Sequence, residues 1–394
     1  MKKTLRLLTI LLLFILSLVI TAYPAFGQLK EGNLIWTTTE ENILYILRSN
    51  ETEPSVFLDI LKTFNIEKKY QTGMKLVSNG KSVFWLDYGY KMDEDYKFIN
   101  AYIYKMDIDS LKPSVVVDLS QKAGSQIVRW LPSSLITDGK SLFWLGRNSE
   151  GEGKLFIYRS DINGGNFSVF FEFPYKSMKP KNLTTDGKFI YMYIDGARLN
   201  KFGGIAGETQ FLVKIEISNP VLSSIDALSI LQNWAGAPFF IYPYTPLVTD
   251  GKFLYFAIYL SPRNGQLIVR SDLDGQNPLM IAEPKYNTSV LTMTNNKNSL
   301  FWILQYHESF QIHQSTFDGS SKSILLEVPV NLKFGSYDNL PSSIAFVSNN
   351  YLSSKLIIGV VIFLISLAIV VGSLWIFSKQ LSNSDIKQEA EPEV

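Results

Sequence analysis

The sequence contains no cysteine. Disulfides and thiolate metal sites are thereby excluded. A large animal cell-surface domain usually carries disulfides, so the absence points to a bacterial or archaeal envelope. Histidine is nearly absent as well: His307 and His313 are the only two, six residues apart. Such a pair supplies imidazole zinc sites and general-base chemistry poorly. There is no excess charge of either sign. The 37 Lys and Arg residues balance 36 Asp and Glu, for a net charge of +1, which leaves no electrostatic footprint for nucleic acid. Neither a P-loop nor a G-x-S-x-G elbow occurs. No cofactor, metal site or catalytic set is read from these residues. Between the two terminal apolar runs, no segment holds a long 3.6-residue period, so a helix-rich fold is excluded too.

Aromatics, by contrast, are plentiful, with 26 Phe, 20 Tyr and 7 Trp, as suits a strand-rich domain. Two apolar runs stand apart from it. Residues 1–27 have a basic start (Lys2, Lys3, Arg6), an apolar stretch from Leu7 to Ile20 and small residues Ala25 and Gly27 before a cleavage point. This is the pattern of a secretory signal peptide, the alternative being an uncleaved anchor. Residues 356–377, LIIGVVIFLISLAIVVGSLWIF, carry no charge. At about 1.5 Å rise per residue they span roughly 33 Å, enough for a transmembrane helix. Lys355 and Lys379 bracket the run, and Trp375 lies near one end. Gly359 and Gly372 are not spaced as G-x-x-x-G, so no helix-dimerisation signal is present. The organisation expected is a signal peptide (1–27), an exported domain (28–350), a linker (351–355), one membrane span (356–377) and a short cytoplasmic tail (378–394).

One element recurs through the exported domain. It reads KLVSNGKSVFW at 75–85, SLITDGKSLFW at 134–144, NLTTDGKFIYM at 182–192, PLVTDGKFLYF at 246–256 and LTMTNNKNSLFW at 291–302. A truncated copy, EGNLIW, stands at 31–36. The copies end on Trp36, Trp85, Trp144, Met192, Phe256 and Trp302. Each predicts a β-hairpin, with Asn-Gly or Asp-Gly at the centre of a type I′ turn. Asn296-Lys297 lacks the glycine and predicts a weaker turn. A second hairpin follows, clearest in LFIYRSDINGGNFSVFFEF at 155–173 and LIVRSDLDGQNPLMIAE at 267–283. Four antiparallel strands repeated about every 45 residues predict a propeller blade. Six blades are counted. The first begins at its second strand, and SSIAFVSNN at 342–350 matches the missing first strand, so it is expected to close the ring. A pair of β-sandwiches would explain neither the four-strand unit nor this seventh half-copy.

The FWLD run at Phe84–Asp87, the IWTT run at Ile35–Thr38 and the S-D-x-D-G turns resemble the repeat of six-bladed YWTD-type propellers. The chain is also similar to bacterial TolB-like propellers. The resemblance implies an all-β, six-bladed β-propeller over nearly the whole exported domain; the cysteine-rich modules that flank animal YWTD domains are missing.

In such a blade the first-to-second and third-to-fourth turns share one end of the ring, and these are short. The other end carries the long connections, among them 87–98, 194–208 and 219–245. Long loops on a rigid scaffold commonly carry function. The last strand leaves the ring at the short-turn end, so that end is expected near the membrane and the long-loop end away from it. The richest candidate for binding is QNWAGAPFFIYPYTP at 232–246, with Trp234, Phe239, Phe240, Tyr242 and Tyr244. Exposed aromatics recognise proteins, peptides or glycans by burying flat apolar area; the same residues could instead pack on their own blade. Asp93, Glu94 and Asp95 read as a solvated loop. Asp161-Ile162-Asn163-Gly164 and Asp272-Leu273-Asp274-Gly275 resemble the opening of a calcium loop but lack its downstream carboxylate, and read as ordinary turns. Sequons stand at Asn50, Asn166, Asn182 and Asn287. The functional expectation is a membrane-anchored binding module without catalysis; the alternative is a polysaccharide hydrolase or lyase with paired carboxylates.

Overall fold

The structure is a computed structural model. It describes residues 32–347 except 39–42, 49–50, 52, 60–61, 64–74, 90–99, 109, 111, 120–134, 148–153, 175–178, 200–204, 226–238, 241–245, 261–264, 285–287, 307–308 and 330–340. The expected signal peptide, membrane span and tail lie outside the described residues. Among the described residues no helix is long and apolar enough to cross a membrane.

The strands form six antiparallel sheets, each a blade. Blade one holds β1 (Asn33–Thr38), β2 (Ile43–Arg48) and β3 (Ser55–Asp59). Blade two is β4 (Lys75–Ser78), β5 (Ser82–Gly89), β6 (Asn100–Asp107) and β7 (Pro113–Asp118). Blade three is β8 (Leu135–Thr137), β9 (Ser141–Arg147), β10 (Leu155–Asp161) and β11 (Ser168–Glu172). Blade four is β12 (Lys179–Thr185), β13 (Phe189–Leu199), β14 (Ile205–Glu216) and β15 (Leu222–Ile225). Blade five has β16 (Phe239–Phe240) and β17 (Leu247–Thr249) on one edge of β18 (Phe253–Leu260), then β19 (Gly265–Asp272) and β20 (Leu279–Ala282). Blade six is β21 (Ser289–Asn295), β22 (Ser299–Gln305), β23 (Ser309–Thr316) and β24 (Lys322–Pro329). The last strand, β25 (Pro341–Val347), returns to pair with β1, Ile344 opposite Trp36 and Ala345 opposite Ile35.

The inner strands close a ring of six. β25 packs on β4, β4 on β8, β8 on β12, β12 on β17, β17 on β21, and β21 on β25. At the closing seam the Leu76 N–H donates to Ser343 Oγ at 2.9 Å, joining residues 267 positions apart.

Packing explains why each repeat ends in two large apolar residues rather than in alternating apolar and polar ones. Each blade is covered on both faces, as in a parallel sheet, so the alternation signal disappears. Six apolar clusters result, one per blade interface. Trp85 faces blade one and Phe84 faces blade three. Trp144 faces blade two and Phe143 faces blade four. Trp302 and Phe301 split between blades five and one in the same way.

A third contribution to each interface comes from the second hairpin. The middle residue of its turn, Ile108, Ile162, Ile217, Leu273 or Phe317, packs into the cluster shared with the preceding blade. The backbone N–H of Ile108, Ile162 and Ile217 donates to the carbonyl of Lys81, Lys140 and Lys188 in the first turn of the same blade, at 3.1, 3.1 and 2.9 Å. The two short turns of a blade are therefore joined at one end of the ring. Gly164 lies so close to blade two that a Cβ would stand 1.9 Å from the Val116 carbonyl oxygen.

The first-hairpin turns differ from the expected type I′. Only the glycine takes a positive φ, +88° at Gly139, and it occupies the first of the two central positions. That is the type II′ pattern. Asp138 sits just outside the loop, where its Oδ1 accepts the N–H groups of Lys140 and Ser141 at 2.8 and 2.6 Å. Thr137 Oγ1 accepts the Gly139 N–H and donates to the Ser141 carbonyl. The Thr-Asp-Gly-Lys sequence thus encodes side-chain capping of a turn rather than two left-handed residues. Asn296 caps the glycine-free turn of blade six through the same acceptor, at 2.8 and 2.7 Å.

The segment 194–208 is a second departure. Apart from residues 200–204 it continues β13 and β14 as a two-stranded ribbon, paired as far as Leu199 opposite Ile205. Its glycines and short polar residues read as a loop, yet a hairpin already seeded by blade four extends by backbone pairing alone.

Candidate functional site

Inner strands run towards the short-turn end, so their first residues mark the long-loop end of the ring. Here the strand register defines a level. Lys75 lies opposite Leu86 on blade two. By the same register Lys181 lies opposite Tyr193 on blade four, Ser343 opposite Thr37 on blade one, and Thr292 opposite Ile303 on blade six. The inner strands of all six blades, β16 included, contain Lys75, Lys179 and Lys181 but no Asp or Glu. Lys179 has Asp195 directly across the sheet, whereas Lys75 and Lys181 have apolar or aromatic residues opposite. Burial lowers the pKa of Lys75, because desolvation penalises its ammonium. At this level Tyr193 is buried, its hydroxyl has no hydrogen-bond partner among the described residues, and burial raises its pKa well above the usual value. No sequence signal drew attention to Lys75 except that a cation opens one copy of an otherwise uncharged strand pattern.

Of the aromatic candidates, Phe239 and Phe240 form β16 and pair with Leu260 and Tyr259 of β18. They are backbone-tied to the inner edge of blade five at its long-loop end, in a strand where the sequence suggested loop throughout. Trp234, Tyr242 and Tyr244 lie outside the described residues, as do Asp93, Glu94, Asp95, His307, Asn50 and Asn287.

The remaining candidates are engaged in the scaffold. Asp161 Oδ2 accepts Asn166 Nδ2 at 2.7 Å, and Asp272 Oδ2 accepts Asn277 Nδ2 at 2.7 Å, each closing its own turn. The sequon Asn166 is thus a turn-closing donor, and Asn182 sits on inner strand β12 with a φ of +53°. His313 stacks on Trp302, ring centroids 5.4 Å apart and planes 13° off parallel. The equivalent pairs in three other blades are Trp36–Tyr45, Trp85–Tyr104 and Trp144–Tyr158, each directly opposite across the second and third strands. His313 therefore occupies a tyrosine position in the blade pattern.

No family model matches this chain, and no curated protein matches it in sequence. Solved structures do match in fold. TolB from Acinetobacter baumannii superposes with a TM-score of 0.50 at 13% identity, covering 80% of this chain and 66% of that one, slightly under two thirds of its length. The nidogen/laminin complex gives a TM-score of 0.49 at 13% identity, over 80% of this chain and 98% of that one. The chain is a six-bladed β-propeller similar to TolB. At such identities the likeness concerns the fold alone.

Proposed function

We propose that this chain is a membrane-anchored interaction module outside the cytoplasm, whose propeller recognises a protein, peptide or glycan at its long-loop end. The observation that carries the reading is the asymmetry of the ring. At one end the turns between strands are three to six residues long and close through hydrogen bonds of their own, as at Asp138 and Asp161. At the other end strands are joined by the longest connections of the sequence, and β16 pairs with the inner edge of blade five there. A rigid scaffold with variable connections gathered at one end is a recognition architecture. Export and anchoring rest on the apolar runs at residues 1–27 and 356–377. A hydrolase or lyase needs converging carboxylates, and the inner strands carry none, so no observation favours that second reading.

The test is binding of the full chain, reconstituted in nanodiscs, to glycan and peptide arrays, with calcium and with chelator. Saturable binding lost in Trp234→Ala and Phe239→Ala, with unchanged thermal unfolding, is the expected result. A ligand retained by both variants would move the site off this segment.

A further inference from the structure

The chain enters and leaves the ring at the same end. β1 begins at Asn33 directly opposite Val347, where β25 stops, and both positions lie at the short-turn end. Whichever apolar run is retained, in residues 1–27 or at 356–377, it continues from this end. Eight residues, 348–355, separate Val347 from the second run. Fully extended they reach about 30 Å. Turning the ring over would lead them about 14 Å across a four-stranded blade and about 23 Å along a seven-residue strand, roughly 37 Å in all. The segment is too short for that path.

The surface of the short-turn end has two properties of its own. Lys81, Lys140, Lys188, Lys252 and Lys297 stand in the first turns of five blades, and all five are exposed. Among the described residues no hydrogen bond or ion pair holds the ammonium of Lys81, Lys140, Lys252 or Lys297, and that of Lys188 rests over the Phe189 ring. Acids of the same turns are committed to them. Asp186 accepts the Lys188 and Phe189 N–H groups and the Tyr191 hydroxyl, and Asp250 accepts the same three groups in blade five. The ammonium groups are thus the charges that can turn to an outside anion. The second property is apolar. Val56, Val115, Val169, Val221, Met280 and Ile324, one from each blade, are 44–59% exposed and stand within two residues of the start of their outer strands. Single exposed apolar side chains are ordinary. Here they form a belt at one level of all six blades, and no exposed large hydrophobic stands at the other end among the described residues. Two residues of strand rise about 7 Å from the turns, within the roughly 5–10 Å to which an interfacial segment sinks.

We propose, resting on the membrane-anchored reading above, that the short-turn end seats on the phospholipid surface of the bilayer. Its turn lysines donate to headgroup phosphates, and the apolar belt meets the boundary with the acyl chains. The long-loop end is thereby held outward for recognition.

The lack of cysteine permits single-site labelling of the full chain. Lys140→Cys, Lys252→Cys and Val169→Cys report on the short-turn end; Pro174→Cys and Ser289→Cys, both at exposed positions, report on the long-loop end. Each variant carries fluorescein and is placed in nanodiscs of phosphatidylcholine and phosphatidylglycerol containing a nickel-chelating headgroup lipid. Nickel quenches only dyes close to the headgroups. Dyes at 140, 252 and 169 should lose most of their emission and regain it with EDTA, whereas dyes at 174 and 289 should keep theirs. Equal quenching at the two ends, or quenching confined to 174 and 289, would overturn the seating and leave the anchor standing. A chain that does not enter nanodiscs would overturn the anchor and the seating with it. A second arm replaces the five turn lysines by glutamine in the Val169→Cys chain. Quenching at 169 should then fall while thermal unfolding stays unchanged, and undiminished quenching would overturn the part given to the lysines.

Discussion

Replacing His313 by tyrosine should stabilise the propeller at acidic pH and remove part of its pH dependence. The ring of His313 stacks on Trp302 in the blade five–six interface, where three other blades place tyrosine. Burial lowers its pKa from the usual 6.5, opposed by the nearby Glu327 carboxylate. The folded state therefore binds the proton less readily than the unfolded chain. Stability from this group is complete above about pH 6.5 and falls as pH drops through that value towards the lowered one. The slope cannot exceed one proton, about 1.4 kcal/mol per pH unit. Between pH 7.5 and 5.5 the loss is at most about 1.4 kcal/mol, since an unfolded group of pKa 6.5 is then about ten-elevenths protonated. For a domain of this size that amounts to about 2–4 °C in Tm. Tyrosine does not titrate in this range, so the difference in Tm between native and His313→Tyr chains should widen from pH 7.5 to 5.5. The assay is thermal unfolding of the full chain followed by tryptophan fluorescence. Parallel pH dependence in both proteins would refute the argument. A His313→Tyr chain less stable at pH 7.5 by several degrees would refute the equivalence of the histidine with the tyrosines.

Two glycines should separate backbone strain from contact. Gly139→Ala puts a Cβ into open space at a φ of +88°, so it should cost only about 1 kcal/mol. Gly164→Ala adds a clash with the Val116 carbonyl of the neighbouring blade and should cost several-fold more; equal costs by denaturant titration would show the turn of blade three is not seated on blade two. Ser343→Ala leaves the buried Leu76 N–H without its acceptor and should cost about 1–3 kcal/mol, with the loss confined to the closing seam by hydrogen exchange.

The repeat was legible because its signals are local. Turn chemistry in Asn79-Gly80, Asp138-Gly139, Asp186-Gly187 and Asp250-Gly251 requires a glycine at a positive φ whatever surrounds it. Paired aromatics such as Phe84-Trp85 mark a strand covered on both faces. Even the long-range pairing of β25 with β1 was readable, because a strand with an unfilled edge and a matching half-copy at the far end of the chain have one way to satisfy both. The turn type was misread for a local reason: the same Asp-Gly pair serves a type I′ loop or a side-chain cap outside a type II′ loop, and strand register decides between them. What the sequence could not show is whatever depends on which residues of different blades share a level. Lys75 and Lys181 are 106 positions apart, and only the ring of inner strands brings them to one end of one axis. The stacking role of His313 was not legible either, because only the register sets it opposite Trp302. The sequence by itself determined the blade, because hairpins and two-sided burial are written in neighbouring residues. Only the tertiary structure decided which residues of different blades stand at one level, because that follows from the register between strands and the closure of the ring.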